Sequence, residues 1–197
     1  MAGMIRTFLI ALVLAACGST LPNYDYAKEP DPRNQEIVLG VGDVVGINVW
    51  DQKDLNTEAV IRPDGTITMP LVGDIKAAGS TPSQLKEKIK TQLSNFLKTS
   101  AANEVTVAVR AWKSYRFTIE GEVTRSGVFS NDQYVTVAEA LAMAGGLSRF
   151  AKHDEIKLMR RDKTGYREIP LDYDALASGK RPDMNIYVLP GDQIYVP

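Results

Sequence analysis

Four Gly-Asp or Asp-Gly pairs punctuate this chain: Gly42-Asp43, Asp64-Gly65, Gly73-Asp74 and Gly191-Asp192. Glycine reaches positive φ without steric cost, and an aspartate side chain caps nearby backbone N–H groups, so each pair reads as a reversal. Between the reversals, apolar residues recur at every second position. Val45, Ile47 and Val49 make one such row; Val105, Val107 and Val109 a second; Tyr115, Phe117 and Ile119 a third. A period of two, cut short by turns, is the pattern of half-buried strands. The same pairs could be sugar- or calcium-contacting loops, but no run has the density of oxygen ligands that a calcium loop needs.

Two units follow from this pattern. The first, residues 36–111, opens with an apolar strand at 36–39 that breaks at Gly40-Val41-Gly42-Asp43, followed by the strand through Val45, Ile47 and Val49. Pro63-Asp64-Gly65 predicts a hairpin between two short strands, and Gly73-Asp74 another turn. Thr81 then suits a helix N-cap, with Pro82 at the first helical position and Gln84 closing a capping box. Leu85, Ile89, Leu93, Phe96 and Leu97 share one face of that helix, which should end near Lys98. Val105, Val107 and Val109 close the unit. The second, residues 113–197, has strands at Tyr115–Ile119, Val128-Phe129, 154–161 and 166–171. A helix over 137–144 is opened by Thr136 and Glu139 and stopped by Gly145-Gly146. A helical turn at 172–179 and strands at 185–189 and 193–196 finish it. The class is α+β: a β-rich domain with one packed helix, then strands and a helix in β-grasp order.

The chain has 197 residues with 23 basic and 24 acidic side chains, a net charge of −1, so nothing in the balance points to nucleic acid. It has one Cys and one His, which excludes an intrachain disulfide and leaves Cys-rich or His-rich metal sites and His-based catalysis without material. The expectation is no catalytic residue, no metal and no cofactor. The single thiol, Cys17, follows Arg6, an apolar run from Phe8 to Ala16, and the small pair Ala15-Ala16. That run suits a signal-peptide core and is too short for a membrane-spanning helix. Leu14-Ala15-Ala16-Cys17 resembles the bacterial lipobox. The resemblance implies cleavage after residue 16, with a diacylglyceryl group on the Cys17 sulfur and an acyl group on its new amino terminus. Chains of that number make anchoring effectively permanent. An ordinary secretory signal or a buried N-terminal helix are the other readings. Gly18, where the sorting rule of Gram-negative lipoproteins has Asp for inner-membrane retention, implies the outer membrane. Residues 17–35, with Pro22, Pro30 and Pro32, read as an extended lipidated tether.

Other residues carry a functional and a plainer reading side by side. Glu120 and Glu122 alternate onto one strand face and could pair as glycosidase carboxylates, but single strand carboxylates are commonly solvated or at interfaces. His153 sits in a polar loop with no second ligand nearby. Lys157, Arg160, Arg161, Lys163 and Arg167 form a basic hairpin, either a solvated face or a contact for an acidic polymer. Trp50 and Trp112 could stack on sugar rings or pack into cores. Gly145-Gly146 follows a helix, so no helix N-terminus is aimed at it as in a phosphate loop.

Longer stretches resemble known domains. LGVGDVVGINVW (39–50), RPDGTITMPLVGDIKAAGST (62–81) and VTVAV (105–109) are similar to the polysaccharide biosynthesis/export domain. IEGEVTRSGVFS (119–130), TVAEALAMAGGL (136–147) and LPGDQIYVP (189–197) are similar to the soluble-ligand-binding β-grasp domain, SLBB. With the lipobox, the order resembles the Wza-type outer-membrane polysaccharide export lipoproteins. The resemblance implies a homo-oligomeric ring on the periplasmic face of the outer membrane, enclosing a conduit for capsular or exopolysaccharide. It also implies an inner-membrane polysaccharide co-polymerase, often coupled to a tyrosine kinase, as partner. Larger members carry further SLBB units and a C-terminal amphipathic helix that crosses the membrane. Neither is read before Pro197, so the expectation includes a separate outer-membrane β-barrel. A monomeric carbohydrate-binding lipoprotein is the alternative, and a glycan hydrolase a third reading that lacks a catalytic constellation.

Overall fold

The computed structural model describes residues 22–97, 104–162 and 165–197. Cys17 and Lys98 lie outside the described residues, as does Lys163.

The first domain contains β1 (Val44–Val49), β2 (Thr57–Val60), β3 (Thr66–Met69), β4 (Gly73–Lys76), α1 (Pro82–Leu93) and β5 (Val105–Ala111). β1 lies between β2 and β5, antiparallel to both, while β3 and β4 form a separate two-stranded ribbon. The inward row Val45, Ile47 and Val49 packs with Ile67, Met69 and Ile75 of the ribbon and with Leu85, Ile89 and Leu93 of α1. The capping box at Thr81 and Gln84 is formed, and all three helix residues are completely buried.

Three expectations change here. The Pro63-Asp64-Gly65 turn closes with Gly65 N–H on the Arg62 carbonyl and Arg62 N–H on that of Thr66, but the strands beside it do not pair with each other. Ile61 is the reason: it is buried and exchanges bonds with Asp43 and Gly42, which commits its strand to β1 and leaves β3 to find β4. Residues 36–39 form no ladder; Leu39 instead bonds to the backbone of Gly79 and Ser80. The helix ends at Leu93, and short-range bonds from Asn95 and Phe96 back to Gln92 and Leu93 turn the chain, leaving Phe96 56% exposed.

The second domain contains β6 (Arg116–Gly121), β7 (Gly127–Ser130), α2 (Val137–Met143), β8 (Ile156–Arg161), β9 (Tyr166–Leu171), α3 (Tyr173–Ala177) and β10 (Gln193–Val196). The sheet order is β7-β6-β10-β8-β9, with β10 parallel to β6 and the other pairs antiparallel. A mixed sheet with a late strand in its centre, covered by a short capped helix, is the β-grasp arrangement. Ile194 and Val196 of β10 are fully buried among Phe117, Ile119, Leu158 and Leu141. Gly121 marks where β10 crosses closest: a Cβ there would stand 1.9 Å from the Val196 carbonyl oxygen. Residues 185–189, expected as a strand, contribute one bridge, Tyr187 to Thr136.

Val109 packs against both cores, so the domains share a wall. The described part of the expected tether does not hang free from Tyr24 onward. Tyr26 is 3% exposed and its hydroxyl donates to the Pro170 carbonyl, so residues 24–34 form a strap across the second domain. Phenol rings supply the apolar area that a proline-rich linker otherwise lacks.

Candidate functional site

The Gly-Asp pairs are turns, and two of them also form buried joints. Gly42 and Gly191 have φ of 91° and 86°, a region costly for residues with a Cβ. In both, the aspartate that follows accepts the backbone N–H three residues earlier: Gly40 to Asp43 at 2.8 Å, Leu189 to Asp192 at 2.7 Å. Each carboxylate then reaches across the fold. Asp43, fully buried, accepts the Ser114 N–H and hydroxyl where the chain passes into the second domain. Asp192 receives Arg160 through Nε and Nη2, the latter at 2.6 Å.

The other two pairs belong to one exposed cluster. Arg62 bridges Asp64 and Asp74 at 3.2 and 2.8 Å. The Thr66 hydroxyl and N–H bond Asp64 and, with Arg62, hold its carboxyl down at about 2.

The expected basic hairpin is therefore not a uniformly solvated face. Arg160 shares the inward phase of Ile156 and Leu158 on β8, and its side chain is 5% exposed. It links Asp192 to Glu29 of the strap at 2.6 Å and donates to the Tyr187 carbonyl. Arg167 also holds Glu29, at 2.6 Å, and donates to the Tyr24 hydroxyl. Burial pushes the Glu29 carboxyl up, but the bonds from Tyr24 and Arg167 and the charge of Arg160 outweigh it, and it lies below the usual carboxylate range. Asp192 goes the other way, since its burial exceeds what Arg160 returns. Burial likewise lifts the phenols of Tyr26 and Tyr115 to about 12, so both stay neutral donors. Arg181 completes the strap joint, over the Tyr26 ring and on the Pro22 carbonyl at 3.3 Å. The inward phase of β8 was the sequence signal for this joint.

The two tryptophans part company. Trp112 is 8% exposed, stacked on Tyr115 at 4.8 Å and edge-on to Tyr134 at 4.8 Å. Trp50 is 71% exposed, so of its two readings core packing does not hold. Val45, Ile47 and Val49 occupy the inward phase of β1, so the next residue faces out. Strand parity alone carried that information.

Glu120 lies within β6 and Glu122 just beyond its end. Gly121, at φ 93°, ends β6 between them and breaks the alternation; Glu122 accepts the Ser148 hydroxyl at 2.6 Å and both residues are exposed. His153 Nδ1 lies 2.9 Å from Asp174, and among the described residues no group of three or more possible ligands is placed to hold a metal ion. No helix among the described residues is long and apolar enough to cross a membrane.

One open groove, about 800 Å³, runs where the strap, the end of β5 and the loop before α2 meet; Gln35, Trp112 and Gln133 are among its walls. Residues 31–110, up to this groove, match the family model described as polysaccharide biosynthesis/export protein, and residues 116–172 match the SLBB domain. The chain is similar to the polysaccharide biosynthesis/export family over its first domain and to SLBB domains over its second. The unmatched residues between the two matched segments include Trp112, which lines the groove, and Ser114, which completes the Asp43 joint.

Curated relatives agree in kind. The chain is 29% identical over 183 residues to the EPS I polysaccharide export outer membrane protein EpsA of Ralstonia nicotianae, covering 80% of this chain and 46% of that protein. It is 27% identical over 154 residues to the exopolysaccharide production protein ExoF of Rhizobium meliloti, covering 73% and 34%. It is 26% identical over 179 residues to the capsule polysaccharide export outer membrane protein CtrA of Neisseria meningitidis, covering 79% and 43%. The chain thus spans less than half the length of these relatives.

Proposed function

We propose that this protein is an outer-membrane lipoprotein, anchored through Cys17 and facing the periplasm, that assembles into a homo-oligomeric ring around a conduit for capsular or exopolysaccharide. The observation that carries the reading is an export domain followed directly by an SLBB domain, in a chain whose relatives are named for export of EPS and capsule. The role is transport, not catalysis; the export names of its relatives support that. An inner-membrane co-polymerase with its tyrosine kinase is the partner expected to feed polymer into the conduit.

The strap bears on the anchor. The Pro22 carbonyl is bonded to Arg181, and Pro22 stands five residues beyond Cys17 in the sequence. Five residues span at most about 17 Å, so a lipid on Cys17 holds the second domain close to the leaflet.

Deletion of the gene, with surface polysaccharide stained, tests the function, and a Cys17→Ala chain tests the anchor. Loss of surface polymer in the deletion, and a soluble, export-deficient Cys17→Ala protein, are expected. An unchanged coat in the deletion strain overturns the reading. Electron microscopy of the detergent-extracted protein tests the ring, and a strictly monomeric species at high concentration counts against it.

A further inference from the structure

We infer that the groove between the domains is a binding site for a short segment of the glycan chain, an inference that rests on the export reading. Its volume, about 800 Å³, lies within the range of ligand sites, about 300–1,000 Å³, and suits a few sugar rings, not a folded partner. Three distant pieces of chain build it: the strap contributes Gln35, the end of β5 contributes Arg110 and Trp112, and the loop before α2 contributes Asp132, Gln133 and Tyr134.

Arg33 of this lining is paired with Asp31, but four other polar side chains are uncommitted. Gln35, Arg110, Asp132 and Gln133 make no side-chain hydrogen bond or ion pair among the described residues. Trp112 is nine-tenths buried and its indole N–H, without an acceptor among the described residues, is covered, so the residue enters the groove's wall as ring surface.

The chemistry selects a polyhydroxylated ring. Two amides donate and accept in one plane, as vicinal hydroxyls require, and a guanidinium and a carboxylate add one strong donor group and one strong acceptor. With Arg33 held by Asp31, the free charges of Arg110 and Asp132 cancel. Ile37, Val109 and the Tyr134 ring offer apolar surface for the C–H face of a sugar. Trp112 is held between Tyr115 and Tyr134, so the wall is rigid before the ligand arrives.

The test uses the full chain extracted in detergent. The protein has two tryptophans, and Trp50, 71% exposed, is replaced by Trp50→Phe so that Trp112 alone reports. The probe is the set of oligosaccharides released by mild acid from the producing strain's own exopolysaccharide, followed by Trp112 emission and, in parallel, by equilibrium dialysis. A saturable emission change matching the dialysis curve is expected. The Arg110→Ala/Gln133→Ala variant, checked for an unchanged melting midpoint, should bind about tenfold or more weakly, the loss of one or two net hydrogen bonds. Retention in dialysis with no Trp112 response, or with undiminished binding by the double variant, puts the glycan elsewhere and overturns the site while leaving export intact. No retention at all also overturns it, and the deletion strain judges the export reading separately. An emission change that follows protein concentration without sugar, together with a dimer mass, makes the groove a contact between copies and ends the proposal.

Discussion

The carboxylate of Asp43 accepts both the backbone N–H and the hydroxyl of Ser114, at 2.7 and 2.8 Å, across the line between the two domains. A third bond, from the Gly40 N–H at 2.8 Å, holds the same carboxylate in its own turn. Asp43→Ala leaves two backbone donors without an acceptor, at about 1–3 kcal/mol each, whereas Ser114→Ala removes one hydroxyl bond worth about 1 kcal/mol. Urea midpoints should therefore fall markedly for the first variant and slightly for the second. Equal losses would show that the hydroxyl, not the backbone, carries the joint.

Close approach at the same joint gives a second prediction. A Cβ on Gly40 would lie 2.3 Å from the Ser114 Cβ, where neither backbone can easily retreat. Gly40→Ala should destabilise by about 1–3 kcal/mol through overpacking. Adding Ser114→Gly removes the obstructing Cβ, so the double variant should recover part of the loss despite the missing hydroxyl. A melting-temperature cycle of the four proteins reads the coupling.

Arg160 and Arg167 differ in what their removal strands. The Glu29 and Asp192 side chains are 1% and 2% exposed, so Arg160→Ala leaves buried carboxylates short of their partner, a cost of about 3–5 kcal/mol. The Arg167 side chain is 40% exposed, and Arg167→Ala should cost about 1 kcal/mol or less. Denaturant unfolding of the two variants should rank them in that order; the reverse order would make the outer arginine the true holder of the strap.

Acid should release the strap. Glu29 has its folded pKa below the ordinary 4.5, so its share of docking is complete above pH 4.5 and is lost as pH falls through the folded value. Asp192 has the opposite sign: its pKa is raised above 3.8, so its contribution is complete below pH 3.8 and diminishes as pH rises. Global stability mixes the two, and the strap alone separates them. Hydrogen exchange in residues 22–34 should accelerate below pH 4.5, after correction for the intrinsic rate. In Glu29→Gln the exchange should be fast throughout and lack that step. A step unchanged in this variant would assign it to another group facing the strap, such as Asp183 beside Arg181.

The residues differ in how far they could be read without tertiary contacts. The boxes at Thr81 with Gln84 and at Thr136 with Glu139 were legible because each closes within one helical turn. The reversals at Gly42, Gly65, Gly73 and Gly191 were legible because positive φ is a property of the residue itself. Residue type alone does not place Arg160 or Trp50, whereas the phase of their strands turns the arginine in and the tryptophan out. The pairing of β3 with β4 was not legible, since it depends on Ile61 having already committed its strand to β1.

Local chemistry in the sequence thus determined where this chain turns, where its helices start, and which alternating rows form two β-rich cores. Only the tertiary structure decided that Asp43 joins the domains, that Glu29 ties a strap to Arg160, and that Trp112 borders an unfilled groove. Each of these needs partners 71 to 131 residues apart, or three separate stretches at once, and no spacing along the chain encodes that meeting. A turn is an energy between neighbours; a buried ion pair or a groove exists only after packing has excluded water around it.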